Sequence, residues 1–343
     1  MPLSIAILGA SGYGGAELLR LLVQNPHFAI AAVTAHSHEG ELVETVFPHL
    51  THFNNLRFGG IESSASEIEH CDVVFCALPH GEAMRTLPGL SNPLIVDLGG
   101  DFRLKSASDY EEWYGAKHVC PEHLGRWVYG LPELFRDRIK SSRRIASAGC
   151  FATAALLATS PLVKHSVVEG DIILNGISGH SGAGRSGKTK NLLSEAYEDV
   201  RAYKVGEHQH TPEIELALGL VSSRDISICI TTHLAPMSRG ILVTASAKLV
   251  EGKSLADIEE AFLHSYEGER FITICKDPPG TKDVRGSNFA FLNYKLDKKQ
   301  NRIIVTCAID NLVKGAAGQA IQNAQCALGF PEDDGLCSLG LYP

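Results

Sequence analysis

The sequence predicts an α/β protein: a Rossmann-type, doubly wound parallel sheet, followed by a second, α+β domain with a mixed or antiparallel sheet. Three observations carry this. The chain opens as strand, glycine turn and helix; its first half alternates short, continuously apolar strands with helices; and beyond Cys150 the strands lengthen and become alternating or β-branched. Continuous apolar strands belong to parallel sheets covered on both faces, whereas alternation marks a sheet with one wet face.

Taken in order, Leu3 to Leu8 is an apolar run, Gly9 to Gly15 a glycine turn, and Ala16 to Leu22 has helical periodicity. A strand from Phe28 to Thr34 follows Asn25-Pro26. Asp72 to Leu78 stops at Pro79-His80-Gly81, and Pro93 to Leu98 stops at Gly99-Gly100-Asp101. A short strand then breaks at Gly149, and an alanine-rich helix restarts at Cys150. Downstream strands are expected at Ile226–Thr232, Gly240–Val250, Phe289–Leu296 and Arg302–Ile309, with a helix near Ser254–Ser265 and a last one at Leu312–Leu328. The expected division is 1–149, 150–310, and a C-terminal segment 311–343 returning to the first domain.

At 343 residues there is room for two full cores, and 44% hydrophobic content is that of a globular chain. A net charge of −8 argues against a nucleic-acid binder, which needs clustered Lys and Arg. No apolar run reaches the roughly 20 residues of a membrane span, and the start lacks a signal-peptide pattern. Nine cysteines without a C-x-x-C pair suggest neither a disulfide framework nor a zinc site. A reducing cytoplasm is the expected location.

Cys150 stands out by placement. A sulfur at a helix N-terminus meets backbone N–H groups and the positive dipole end, which favour the nucleophilic thiolate. Gly9, Gly12 and Gly15, with Ser11, Tyr13 and Gly14, form a turn that lets a pyrophosphate approach a helix N-terminus. No acid ends the second strand, where a ribose 2′-hydroxyl would need one; Ser37 and His36 can take a 2′-phosphate, so NADP(H) is favoured over NAD. Arg103, after a strand end, suits a carboxylate or phosphate, or pairs with Asp101. Ser181 and Gly182 lie in a glycine-dense loop with the makings of an anion nest. Asn311 and Lys314 join a strand to the last helix and either close over a cofactor or pack tightly. His208 and His210 precede a helix read with Thr211 as N-cap and Pro212 as its first residue. A histidine there is biased towards the neutral form, fit for acid/base work. H-x-H also fits a metal, yet no third ligand has a recognisable spacing, so none is assigned.

Together, Gly9-Ala10-Ser11-Gly12-Tyr13-Gly14-Gly15-Ala16-Glu17-Leu18, Ala77-Leu78-Pro79-His80-Gly81, Asp101-Phe102-Arg103, Tyr129-Gly130-Leu131-Pro132-Glu133, Gly149-Cys150, Ser181-Gly182-Ala183-Gly184-Arg185, His210-Thr211-Pro212-Glu213-Ile214 and Asp310 to Gln319 resemble, in order, the motifs of N-acetyl-γ-glutamyl-phosphate reductases. The resemblance implies an NADPH-dependent enzyme of arginine biosynthesis, homo-oligomeric (dimer or tetramer), whose second domain is catalytic. It implies Cys150 as nucleophile, His208 or His210 as acid/base, and Arg103, with Ser147 and Gln319, on an acyl phosphate or semialdehyde. Aminoadipyl or aspartyl phosphate substrates, or a non-catalytic NADP sensor, are the alternatives. There are three departures from the family pattern: Ser147-Ala148 stand for its usual Asn-Pro, Gln209 for Arg, and Asn175 for Asp.

Overall fold

A computed structural model describes residues 1–53, 55–185 and 189–342. The chain forms two compact units, Met1–Gly149 with Ala316–Cys337, and Cys150–Gly315 with Ser338–Pro343. The expected C-terminal segment 311–343 is therefore divided: residues 311–315 and 338–343 belong with the second unit. The break falls where a π-turn, Val313–Ala317, joins the last strand to the last helix, Gly318–Leu328.

In the first unit six strands, β1 (Leu3–Leu8), β2 (Phe28–Val33), β3 (Val73–Cys76), β4 (Leu94–Asp97), β5 (Val128–Gly130) and β6 (Arg144–Ser147), lie in the order β2-β1-β3-β4-β6-β5. Every pairing is parallel. All residues of β3 and β4 are buried, as continuous apolar runs require. The strand order reverses between β1 and β3, which puts the glycine turn after β1 at the point where open α/β sheets bind ligands. The last helix packs into this unit with Gln319, Gln322, Asn323 and Gln325 all buried.

The second unit starts with the helix Cys150–Lys164, buried from Phe151 through Val163. Its seven-stranded sheet comprises β7 (Val168–Ser178), β8 (Arg201–Tyr203), β9 (Ser227–Leu234), β10 (Ile241–Leu249), β11 (Ile272–Ile274), β12 (Ala290–Asp297) and β13 (Arg302–Ile309), ordered β11-β12-β13-β10-β7-β9-β8. The sheet is mixed: β11/β12 and β7/β9 are parallel, the other pairs antiparallel. One face packs on helices, and the alternation places exposed Cys229, Ile173 and Ile304, with half-buried Ser246, in one row across the other. Among the described residues no helix is long and apolar enough to cross a membrane.

Pro161 interrupts the Cys150–Lys164 helix and, lacking an N–H, leaves the Leu157 carbonyl without its helical donor. The Tyr266 hydroxyl, from the helix Leu255–Tyr266, donates to that carbonyl at 2.5 Å. Removing it strands a buried acceptor, so Tyr266→Phe is expected to cost about 1–3 kcal/mol. Denaturant unfolding with an unchanged midpoint would refute this.

Candidate active site

In the first unit, the glycine turn leaves room where a phosphate needs it. Gly9 has φ +76, and a Cβ on it would lie 2.7 Å from the Ala77 carbonyl oxygen; on Gly15 it would lie 2.4 Å from Ala10 Cα. These two glycines allow the turn to close on its own neighbours. Gly12 is different: a Cβ there would meet only the Gly9 carbonyl oxygen at 3.6 Å, so the space above it is open. Gly12 caps the helix Tyr13–Leu22, with no side-chain cap and no acid in the first turn. An uncapped helix N-terminus facing open space suits an anion. Tyr13 is exposed beside it and Ser11 half-buried. His36 and Ser37 are exposed after β2, while the nearest acid, Glu39, accepts from the Ser63 hydroxyl at 3.4 Å.

The ends of β4 and β6 are braced by charge. The Asp101 carboxylate accepts from the backbone N–H of Gly81 and Met84 and from the Tyr110 hydroxyl. Burial raises the Asp97 carboxyl to about 7. Arg103 is buried; its Nε–H donates to the Ser147 carbonyl at 2.9 Å and its Nη2–H to the Leu98 carbonyl at 2.8 Å. These two bonds turn part of its fork to strand ends, and little of the side chain reaches solvent. Ser147 is buried too, its hydroxyl oxygen accepting from Asn323 Nδ2 at 3.3 Å. Gln319 is fully buried, and neither atom of its amide has a hydrogen-bond partner among the described residues.

In the second unit, Cys150 is the first residue of its helix and half-buried. Its buried rivals are poorer nucleophiles. Burial pushes Cys71 and Cys120 up to about 11 and Cys326 to about 12, and Cys76 and Cys307 also well up. His208 and His210 lie 4.7 Å apart, ring to ring, and both stand edge-on to Phe151. The helix begins at His210, earlier than the expected Thr211 cap. His208 explains the shift: its Nδ1 accepts the His210 N–H at 3.2 Å and its carbonyl accepts the Thr211 N–H at 2.9 Å, so it does the capping. Pro212 then falls later in the first turn, where an N–H has no helical partner anyway.

That hydrogen bond fixes the tautomer: with Nδ1 accepting, the proton of neutral His208 sits on Nε2. Burial first, and His210 next, push its pKa down to about 2. Because the folded value lies below the ordinary 6.5, the unfolded chain binds a proton that the folded chain refuses. His208 therefore draws stability down as pH falls below about 6.5, by at most about 1.4 kcal/mol per pH unit. His208→Asn is expected to lose that part of the acid slope in thermal melts between pH 6.5 and 5. An unaltered slope would mean that the imidazole is charged in the fold. His210 Nε2 lies 3.9 Å from the carboxylate of Glu213, itself fully buried.

Around Cys150, sequence reasoning missed two features. In the π-turn the Gly315 N–H donates to the Asp310 carbonyl at 2.9 Å, and a Cβ on Gly315 would lie 2.9 Å from Cys150 Cβ. The Tyr203 phenol is pushed up mainly by burial, with a smaller contribution from Cys150, so it lies within electrostatic reach of the sulfur. The Gly-Ala-Ala-Gly run hinted at close packing without saying against what. The Asn311 side chain ties two loops, donating to Ser181 Oγ at 2.9 Å and accepting from the Gly240 N–H at 2.7 Å. Beside it, Gly182 leaves Ser178 Oγ 3.2 Å from where a Cβ would sit. Lys314 is fully buried, its Nζ 5.4 Å from the Phe271 ring centre. Among the described residues no cluster of three or more His, Cys, Asp or Glu could hold a metal ion.

Residues 4–142 match the family model for the semialdehyde dehydrogenase NAD binding domain, and residues 150–311 that for the semialdehyde dehydrogenase dimerisation domain. An N-acetyl-gamma-glutamyl-phosphate reductase of Pelotomaculum thermopropionicum is 42% identical, with 100% of both chains covered. One from Geotalea daltonii is 43% identical, with 99% of this chain and 100% of the relative covered. Among solved structures, aspartate semialdehyde dehydrogenase II from Vibrio cholerae, complexed with ASA, has a TM-score of 0.73 over 96% of this chain and 99% of that one; at 16% identity the likeness shows the fold. With both parts matched in order and relatives identical at 42% and 43% along the whole length, the chain belongs to the N-acetyl-gamma-glutamyl-phosphate reductases of the semialdehyde dehydrogenase family.

Proposed function

We propose that the protein reduces N-acetyl-γ-glutamyl phosphate to N-acetylglutamate 5-semialdehyde and phosphate, a step of arginine biosynthesis, with Cys150 as the covalent carrier. The observation that carries this is one half-buried cysteine heading a helix, in the same unit as a neutral, oriented histidine and a second histidine beside a buried carboxylate. The Cys150 thiolate attacks the acyl carbon, the bond to the phosphate oxygen breaks, and a thioester and inorganic phosphate result. The glycine turn of residues 9–15 would hold NADPH, which when bound would supply the hydride for the thioester carbon. His208 offers Nε2–H to the oxygen that gains charge, and His210 with Glu213 manages the proton, a contribution of about 10²–10⁴-fold. Collapse of the thiohemiacetal releases the aldehyde and restores the thiolate.

The open turn at Gly12, with Gly9, Ser11, Tyr13, Gly14 and Gly15, fits a pyrophosphate, and Ser37 a 2′-phosphate, given that Glu39 is engaged by Ser63. Ser181, Gly182 and Asn311 stay in the cofactor-binding role as a braced loop, and Gln319 in the substrate-binding role, with its amide left to a ligand. Arg103 and Ser147 serve the substrate indirectly, by holding strand ends. The exposed row Cys229–Ile173–Ser246–Ile304 is the face a second copy would cover, and a monomer by sedimentation would remove that assignment.

The deciding assay is phosphate-dependent reduction of NADP by N-acetylglutamate semialdehyde, run beside NAD and beside the aspartate and aminoadipate semialdehydes. Preferred turnover of the N-acetylated substrate with NADP is expected. No turnover of it, or faster turnover of another semialdehyde, would overturn the assignment.

A further inference from the structure

The turn that delivers Cys150 is anchored by a residue that no motif singled out. Ser147 ends β6, and Ala148 and Gly149 lead directly to Cys150. Two donors hold Ser147: Arg103 Nε–H on its carbonyl at 2.9 Å, and Asn323 Nδ2 on its hydroxyl oxygen at 3.3 Å. The same Nδ2 donates to the Gly130 carbonyl at 3.1 Å, which also receives the Ala148 N–H at 3.2 Å. Asn323, Gly130 and the Ser147–Ala148 step thus close a ring of hydrogen bonds around the end of β6. A Cβ on Gly130 would lie 2.6 Å from Asn323 Nδ2, so the amide occupies space that only glycine leaves.

Stability alone does not explain this amide. Asn323 is fully buried, and its Oδ1 has no hydrogen-bond partner among the described residues. A buried acceptor left so is a standing cost that an apolar residue of similar size would avoid. What the apolar residue could not do is donate to Ser147. We infer that Asn323 is a positioning residue: through the Ser147 hydroxyl and the Gly130 carbonyl it fixes the strand end from which the chain runs to Cys150. The inference rests on Cys150 being the nucleophile, whose placement must be held to a fraction of an ångström.

The test compares Asn323→Ala, Ser147→Ala and the double variant in the full-length protein. Readouts are kcat, KM, melting temperature, and the pH dependence of Cys150 alkylation followed by peptide mass spectrometry. Each single variant is expected to lose roughly tenfold in kcat, with KM for semialdehyde and NADP within about twofold and a slower Cys150 alkylation. The double variant is expected to be no worse than Asn323→Ala, because the bond that Ser147→Ala removes is already lost in Asn323→Ala. A purely structural role would lower the melting temperature and leave kcat per folded molecule and the alkylation profile as in wild type; that result, or multiplying losses in the double variant, overturns the inference. Should Asn323→Ala not fold, Ser147→Ala decides, since it leaves the Asn323–Gly130 bond in place. Wild-type turnover with an unaffected Ser147→Ala sinks this inference alone, whereas activity surviving in Cys150→Ala sinks the proposed function with it.

Discussion

Cys150→Ala is expected to lower turnover by roughly 10⁴-fold or more while leaving NADPH binding, read by quenching of nucleotide fluorescence, within about twofold. Without a sulfur at the head of this helix no thioester forms there. Cys71, Cys76, Cys120, Cys307 and Cys326 are buried and held in the thiol form, and Cys229 lies on the outer face of a sheet. Mass spectrometry of wild-type protein mixed with acyl phosphate alone should show the acyl adduct on the Cys150 peptide. An adduct elsewhere, or an alanine variant with near-normal turnover, would end the covalent scheme.

Gly315→Ala is expected to lower kcat by about 10²-fold through geometry alone, since displacements near 1 Å cost that much. The added methyl would sit 2.9 Å from Cys150 Cβ and 3.3 Å from the Asp310 carbonyl oxygen. Neither wall yields cheaply. The Cys150 helix is buried along its length, and Asp310 is locked, its carboxylate accepting from the N–H groups of Gly286, Leu312 and Val313. The sulfur is the part that moves. Steady-state kinetics should show kcat falling much more than KM, with Cys150 alkylated at an altered rate. Wild-type kcat would show that the π-turn yields instead of the nucleophile.

What the sequence disclosed divides along physical lines. Strands such as β1 and β13 were legible to the residue because their apolar pattern and turn residues are local. The start of the His210 helix was misplaced because its cap is the His208 ring and carbonyl, whereas the sequence offered an ordinary Thr-Pro start. Lys314 left two readings open, a cofactor contact or tight packing, and its burial against Phe271 depends on residues far away in the chain. Gly315 against Cys150 and Asn323 against Ser147 are contacts across more than 160 residues of sequence, beyond the reach of any periodicity. Arg103 stood out as a guanidinium after a strand end, and two of its bonds go to backbone carbonyls, which carry no sequence signature.

The first unit is completed by Ala316–Cys337, and this sets an order of events at the ribosome. When residue 149 emerges, the strand end at Ser147 and the Glu133 carboxylate still lack Asn323 and Gln322. At roughly 5–20 residues per second, the missing helix arrives some ten to forty seconds later, by which time the second unit can have formed. A chain released after Gly315 should therefore lose protease resistance in residues 1–149 before it does so in 150–315, and limited proteolysis of the truncated protein would show whether it does.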